Sequence, residues 1–337
     1  MSGSNNHIGE GARSNGNDAT ADAITAAARR LRSGNLVAVP TETVYGLAAD
    51  STNADAIANI YRTKGRPDFN PLIVHVPNMN GARKLGVFNH LAARLAECFW
   101  PGPLTIVVPK MPDCPVAPAV TAGLDTIALR CPAHPLMQEL LKASGLFLAA
   151  PSANKSGGIS PTIASHVTRS LGNGAPMILD GGPARAGVES TIVAVRDDNY
   201  QILRPGPVTR EKLEAALGKA AIVTDSKKIE APGQLSSHYA PAKPVRLNAV
   251  NAAPHEYHIG FGKINGHHSL SAAGDLAEAA SELFAAMHLG DNSRFLGIAV
   301  APIPDEGIGA AINDRLTRAA IKDEGEEEPS LDKIAPA

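Results

Sequence analysis

Cysteine is scarce. The 337 residues hold only three, Cys98, Cys114 and Cys131, far apart and with no Cys-x-x-Cys pair. A zinc knuckle, a dithiol redox pair and a disulfide framework are all argued against, and the sparse, odd count fits a reducing, cytoplasmic setting. Aromatic residues make up 4%, so the cores must rest on Val, Ile, Leu and Ala, and the stacking aromatics of an RNA reader are few. No run approaches the ~20 apolar residues that span a bilayer, so no membrane partner is expected. Neither sign of charge dominates: the formal net charge is -2, which exerts no global pull on nucleic acid or anionic lipid. Any phosphate site must therefore be a local cluster of basic groups. The Gly-x-x-x-x-Gly-Lys-Ser/Thr loop is also absent, which excludes a P-loop enzyme. Gly307-Ile308-Gly309-Ala310-Ala311-Ile312 is laid out like a dinucleotide loop, but Ile312 stands where close packing needs a third glycine. It reads better as a helix start rich in small residues.

What is present suits two domains. Hydrophobic residues reach 44%, enough for ordinary cores, and the length favours two units. Residues 1–19, rich in Gly, Ser and Asn, read as a disordered tail, and the acidic stretch in 323–337 as a second tail. Between them, apolar runs alternate with helical periodicity. Helices are expected over 22–32, from Asn53 to Lys64-Gly65, and over 91–99, 135–143, 161–171 and 210–217. Strands are expected over 36–39, 72–76, 104–108, 126–129 and 146–149, followed by a late, partly antiparallel group at 177–179, 191–195 and 201–203. This mixture predicts an α/β domain over 20–209 with a twisted, mixed sheet. Residues 210–244 hold a helix and then a stretch punctuated by Pro232, Gly233, Pro241 and Pro244, read as an ordered linker. A smaller α/β, Rossmann-like domain is expected over 245–322, with strands at 245–247 and 296–301 and helices at 276–287 and 308–320.

Four segments place polar groups beside expected strand ends, where α/β proteins bind ligands. The first is the loop 41–47, containing Thr43: a small polar substrate site, or a turn with locally bonded threonines. In the second, Lys64 and Arg66 flank Gly65 and can reach one polyanion, or can merely complement a helix dipole. His75 lies in the apolar strand that follows. The third, 150–162, gathers Ser152, Asn154, Ser160 and two glycines into an anion cradle before a helix, although Ser160 also reads as a simple N-cap. The fourth is dispersed: Arg130 ends a strand, Glu189-Ser190-Thr191 opens one, and Arg204 ends another.

In order along the chain, PTETVYGLAAD, YRTKGRPDFNPLIVHV, WPGPLTIV, DTIALRCPAHP, APSANKSGGISPT, ESTIV, ILRPG, SSHYAP and AINDRLTRAA resemble the YrdC-like family in its longer two-domain form, the threonylcarbamoyl-AMP synthases. The resemblance spans about residues 22 to 322. It implies a YrdC-like catalytic domain and formation of threonylcarbamoyl-AMP from ATP, L-threonine and bicarbonate, with Mg2+ accompanying ATP. It also implies hand-over of the product to a tRNA threonylcarbamoyl-transfer complex. The family's Lys-x-Arg and Ser-x-Asn pairs fall on Lys64, Arg66, Ser152 and Asn154, which are assigned to the chemistry. Threonine-binding positions fall on Thr43, His75, Arg130, Ala150 and Ser190. ATP-binding positions fall on Arg66, Asn70, Thr126, Ser152, Ser160 and Arg204, and on Tyr239 in a linker that folds over the site as a lid. The resemblance assigns the chain no metal site of its own. Lys64, Arg66 and Arg204 are expected to neutralise the triphosphate. Two other readings remain beside this one. A non-catalytic RNA-binding module sits poorly with the charge and the few aromatics. A carbamoyl-transfer relative of hydrogenase maturation needs cysteine-rich zinc motifs that three scattered cysteines do not supply.

Overall fold

The computed structural model describes residues 14–67, 69–222, 230–232 and 238–321. In chain order the first part runs α1 (Ser14–Arg32), β1 (Val37–Val39), β2 (Gly46–Asp50), α2 (Ala54–Lys64), β3 (Ile73–His75), α3 (Met79–Ala82), α4 (His90–Phe99), β4 (Leu104–Pro109), α5 (Pro118–Thr121), β5 (Thr126–Arg130), α6 (Pro135–Ser144), β6 (Leu148–Ala149), α7 (Ala164–Leu171), β7 (Met177–Ile178), β8 (Thr191–Arg196), β9 (Asn199–Arg204) and α8 (Arg210–Leu217). The second part holds β10 (Val245–Arg246), β11 (Glu256–Gly260), β12 (His268–Ser269), α9 (Leu276–Asp291), β13 (Gly297–Val300) and α10 (Gly309–Ala320). No described helix is long and apolar enough to cross a membrane.

Local chemistry explains the clearest boundaries. α2 starts where the Asn53 side chain accepts the Ala56 N–H, and it stops at Gly65, whose left-handed backbone costs little without a Cβ. Other boundaries correct the sequence reading. α1 begins at Ser14, inside the stretch read as a disordered tail, because apolar periodicity reports where a helix touches the core and not where its hydrogen bonds begin. α7 begins at Ala164 rather than Pro161, and its N-cap is Ile163 without a side-chain bond. Ser160 is therefore no cap. The acidic tail and parts of the linker, 223–229 and 233–237, lie outside the described residues.

The larger domain is a nine-stranded mixed sheet in the order β7-β1-β2-β6-β3-β5-β4-β8-β9. The late strand group is split: β7 pairs parallel with β1 at one edge, while β8 and β9 close the other. Alternation of side chains across the strands divides the central sheet. Val74, Val76, Ile106, Val108, Ile127 and Leu129 face a wholly apolar core shared with α2, α4 and α8. The opposite face carries a row set by register: His75 opposite Arg130, Arg130 opposite Thr105, Thr105 opposite Ile192 and Ile192 opposite Arg204. The smaller domain is a four-stranded parallel sheet, β10-β13-β11-β12, packed with α9 and α10. Its core takes in Val44, Ile159, Val188 and Tyr239 from the larger domain and the linker, so the two domains share apolar packing.

Candidate active site

His75, Arg130 and Arg204 of the cross-sheet row form the floor of a cleft, whose lining includes Thr43, Arg66, Ala150, Ser152, Ser190 and Tyr239. Val44, Ile73, Pro151, Glu189, Pro232 and His238 complete it. Two loops form one wall. The segment after β1 and the segment after β6 are zipped together by Leu47 N–H to the Pro151 carbonyl, Ala153 N–H to the Tyr45 carbonyl, and a bridge between Gly46 and Ser152. Thr41 makes the local turn bonds, to the Val44 carbonyl and from its N–H. Thr43 shares in that turn through the Thr41 hydroxyl and also accepts a bond of 2.8 Å from Arg130.

Charge is distributed in two groups. Arg130, buried, forms an ion pair of 2.7 Å with Glu42 and also donates to the Gly102 carbonyl. Burial pushes the Glu42 carboxyl up, but the adjoining guanidinium outweighs it and holds the acid below its ordinary range. Beside this pair, burial and then the Arg130 charge push His75 down to about 3, so its ring is neutral near pH 7. Its Nδ1 has no partner among the described residues. The second group is purely cationic. Arg66 donates to the Asn70 and Pro71 carbonyls, and Arg204 to the carbonyl and hydroxyl of Ser190 and to the Pro232 carbonyl. Neither has an ion-pair partner among the described residues. Burial lowers the pKa of both, Arg66 to about 10.

Five of the expected site residues do not line the cleft. Lys64 is buried behind it, and its ammonium spans the Ser152 carbonyl at 2.6 Å and the Asn154 carbonyl at 2.5 Å. Burial, then Arg66 and Lys155, push its pKa well below the usual lysine range. In this structure the ammonium braces the 150–158 loop and does not line the cleft. Asn154 braces the same loop through the Lys155 and Gly158 carbonyls, and its buried Oδ1 has no described partner. Lys64, Arg66, Ser152 and Asn154 thus do meet, across a separation of about ninety residues, but only Arg66 and Ser152 face the cleft. Asn70 is buried with an unpartnered Oδ1. Thr126 opens β5, four residues before Arg130, roughly 13 Å along the strand. Ser160 lies beneath the cleft and donates to Glu189 at 2.5 Å.

The linker forms the roof. Tyr239 is 1% exposed, tilts against Phe284 of α9, and its hydroxyl has no described partner. His238 stacks edge-on against it, and burial followed by the Arg66, Lys64 and Arg204 charges holds that ring neutral. Glu42 and Glu189 lie in segments that the sequence singles out, but the sequence reading gave neither a role. Each stands beside a named site residue, but an acid next to a threonine or serine carries no signal of its own until its arginine partner is placed.

Comparison with known proteins identifies the family. A family model described as "Telomere recombination", for Sua5, YciO and YrdC, matches residues 29–206, more than half the chain. A second, described as "Threonylcarbamoyl-AMP synthase, C-terminal domain", matches 208–321. The threonylcarbamoyl-AMP synthase of Bacillus subtilis (strain 168) is 39% identical over 88% of this chain and 92% of its own. That of Pyrococcus abyssi is 36% identical over 88% and 94%. The crystal structure of P. abyssi Sua5 complexed with L-threonine superposes with a TM-score of 0.82, covering the same shares at 35% identity. A full-length HypF structure, at 16% identity, a TM-score of 0.50 and 40% of its own length, shares the fold alone. On these matches, which run through both domains, the chain belongs to the Sua5, YciO and YrdC family, in the two-domain form of the threonylcarbamoyl-AMP synthases.

Proposed function

We propose that the cleft joins L-threonine, bicarbonate and ATP into threonylcarbamoyl-AMP and pyrophosphate. One observation carries this reading: a single cleft holds Arg130, anchored from outside the lining by Glu42, beside the Thr43 and Ser190 hydroxyls, and two buried guanidiniums without carboxylate partners among the described residues. The first group, a guanidinium with hydroxyls around it, suits the carboxylate and hydroxyl of an amino acid. The second suits a polyanion. Val44, Ile73 and Ala150 give the threonine end an apolar lining for a methyl group.

In this reading Arg130, Thr43, Ser190 and the neutral His75 hold threonine. Its amine attacks CO2 derived from bicarbonate and loses a proton, giving a carbamate. A carbamate oxygen then attacks the α-phosphorus of ATP, the bond to the β-phosphate oxygen breaks, and pyrophosphate leaves with the electron pair. Such a step needs alignment and charge neutralisation rather than a protein nucleophile. Arg66 and Arg204 supply charge, Ser152 positions phosphate, and Lys64 and Asn154 shape the loop that carries Ser152. Tyr239 and His238 close over the nucleotide and exclude water. Mg2+ arrives as part of the substrate, MgATP. The Glu189 carboxylate in the cleft lining and the nearby Glu42 carboxylate are already ion-paired, which leaves phosphate oxygens and water as its natural ligands. The free cysteines support a cytoplasmic enzyme, and the product would serve threonylcarbamoyl transfer to tRNA. Incubation with ATP, threonine and labelled bicarbonate should yield a labelled nucleotide and pyrophosphate. ATP turnover indifferent to threonine would overturn the assignment.

A further inference from the structure

One charged side chain of the C-terminal domain reaches the residues behind the cleft. Arg315, on α10, is fully buried. Its Nε donates to the Glu189 carboxylate at 2.9 Å, and its Nη1 to the Pro205 carbonyl and to Asp314, both at 2.8 Å. Its Nη2 approaches the Glu189 carbonyl at 3.4 Å, and its guanidinium lies over the Tyr239 ring. Glu189 and Pro205 are the chain neighbours of Ser190 and Arg204, which bond to each other in the cleft. One planar fork therefore sets the spacing of both strand ends. The approach is close by construction: at Gly187, with φ of 67°, a Cβ would lie 2.4 Å from backbone atoms of Ala280 and Ser281 on α9.

We propose that Arg315 is a positioning residue of the cleft, clamping Glu189 and Pro205 so that Ser190 and Arg204 keep their places and the Glu189 carboxylate stays off the Arg204 guanidinium. The inference rests on the reading that Arg204 binds the nucleotide. Glu189 lines the cleft and already acts on Arg204 through space. Without Arg315 it becomes a buried carboxylate whose nearest remedy is Arg204, the cation a triphosphate needs. Arginine is required because lysine, a point charge on a flexible stem, does not present a fork to a carboxylate and a carbonyl together.

The test compares Arg315→Lys, Arg315→Met and Arg315→Met/Glu189→Gln in the full chain, reading kcat, KM for ATP and for threonine, and Tm. Arg315→Met should raise KM for ATP by about 10- to 100-fold, the scale of a charge-assisted contact, with a smaller rise for threonine. Arg315→Lys should raise it several-fold. Adding Glu189→Gln to Arg315→Met removes the stray carboxylate and should recover most of the loss. A wild-type KM for ATP in both single variants overturns the proposal. So does a double variant as impaired as Arg315→Met, because a merely structural arginine would lower Tm and kcat with no rescue by neutralising Glu189. If Arg315→Met does not fold, Arg315→Lys decides on the same KM. A wild-type protein making no threonine-dependent nucleotide would instead sink the functional reading itself.

Discussion

The two domains treat buried polar groups in opposite ways. In the C-terminal domain most are matched: Glu256 takes Arg246 and the Ala253 N–H, His258 meets the Ala249 carbonyl, Ser271 donates to Glu278, and Arg315 bonds to Asp314 and, across the seam, to Glu189 and Pro205, while the His268 Nε2 has no described hydrogen-bond partner. In and behind the catalytic cleft, His75, Asn70, Asn154, His238 and Tyr239 each bury a polar atom without a described partner. An unsatisfied buried group costs about 1–3 kcal/mol. A cluster of them is tolerable where something outside the fold completes the bonds. The cluster is concentrated in and behind the cleft, in the larger domain and the linker.

The largest expected effect breaks that contrast at a single residue on each side. Arg66→Ala removes a cleft guanidinium whose only described bonds are to the Asn70 and Pro71 carbonyls. By analogy with oxyanion donors, kcat/KM for ATP should fall about 10²- to 10³-fold, or ~3–4 kcal/mol in the transition state, with a small change in Tm. Glu256→Gln in the other domain should do the reverse, lowering Tm at unchanged kcat/KM. Arg246 holds the Glu256 carboxyl down to about 2 through a side-chain bond. Wild-type rates of threonine-dependent pyrophosphate release from Arg66→Ala would remove Arg66 from the mechanism.

A smaller effect sharpens the threonine end. One methyl group against Val44, Ile73 and Ala150 is worth roughly 1–3 kcal/mol. Serine should therefore be used about 10- to 100-fold less efficiently than threonine in competition, measured as kcat/KM. Equal turnover of the two amino acids would mean that the apolar side of the cleft does not touch the substrate.

What could be read from the chain follows the range of the interactions involved. α2 was legible with both caps, because Asn53 and Gly65 act within a few residues of themselves. Strand β2 was not. Its Gly-Leu-Ala-Ala-Asp carries no β-branched residue, and it is a strand because β1, β6 and Ser152 pair with it. β11 was missed because Glu256 and His258 interrupt an apolar run that only their buried partners explain. Within the cleft, the motif arginines, serines and Tyr239 stood out as strings. The cross-sheet row did not, since which face a strand residue takes depends on register with distant strands. Lys64 shows the same limit from the other side: nothing beside it in sequence signals the bonds its ammonium makes to the Ser152 and Asn154 carbonyls, about ninety residues away.

The smallest expected effect concerns the seam between the domains. His166 on α7 stacks on His288 of α9 with ring centroids 3.8 Å apart, and the His288 Nε2 meets the Ser160 carbonyl. Burial, followed for His166 by the His288 and Arg169 charges, lowers His166 to about 3. Burial, then Arg169 against the Ser160 bond, lowers His288 to about 4. Both rings are therefore neutral when folded at pH values where the unfolded chain, titrating near 6.5, binds protons. Between those limits the unfolded state holds more protons, so stability rises with pH. The contribution is complete above about pH 6.5 and is lost as the pH falls toward 4 and then 3. Urea midpoints measured from pH 8 down to pH 4.5 should hold level and then decline below 6.5. His75 and His238 are buried neutral in the same way and contribute to the same slope. Replacing His166 by Gln should lower the plateau and make the decline shallower. An unchanged slope in that variant would show that the stacked pair is not part of the titration.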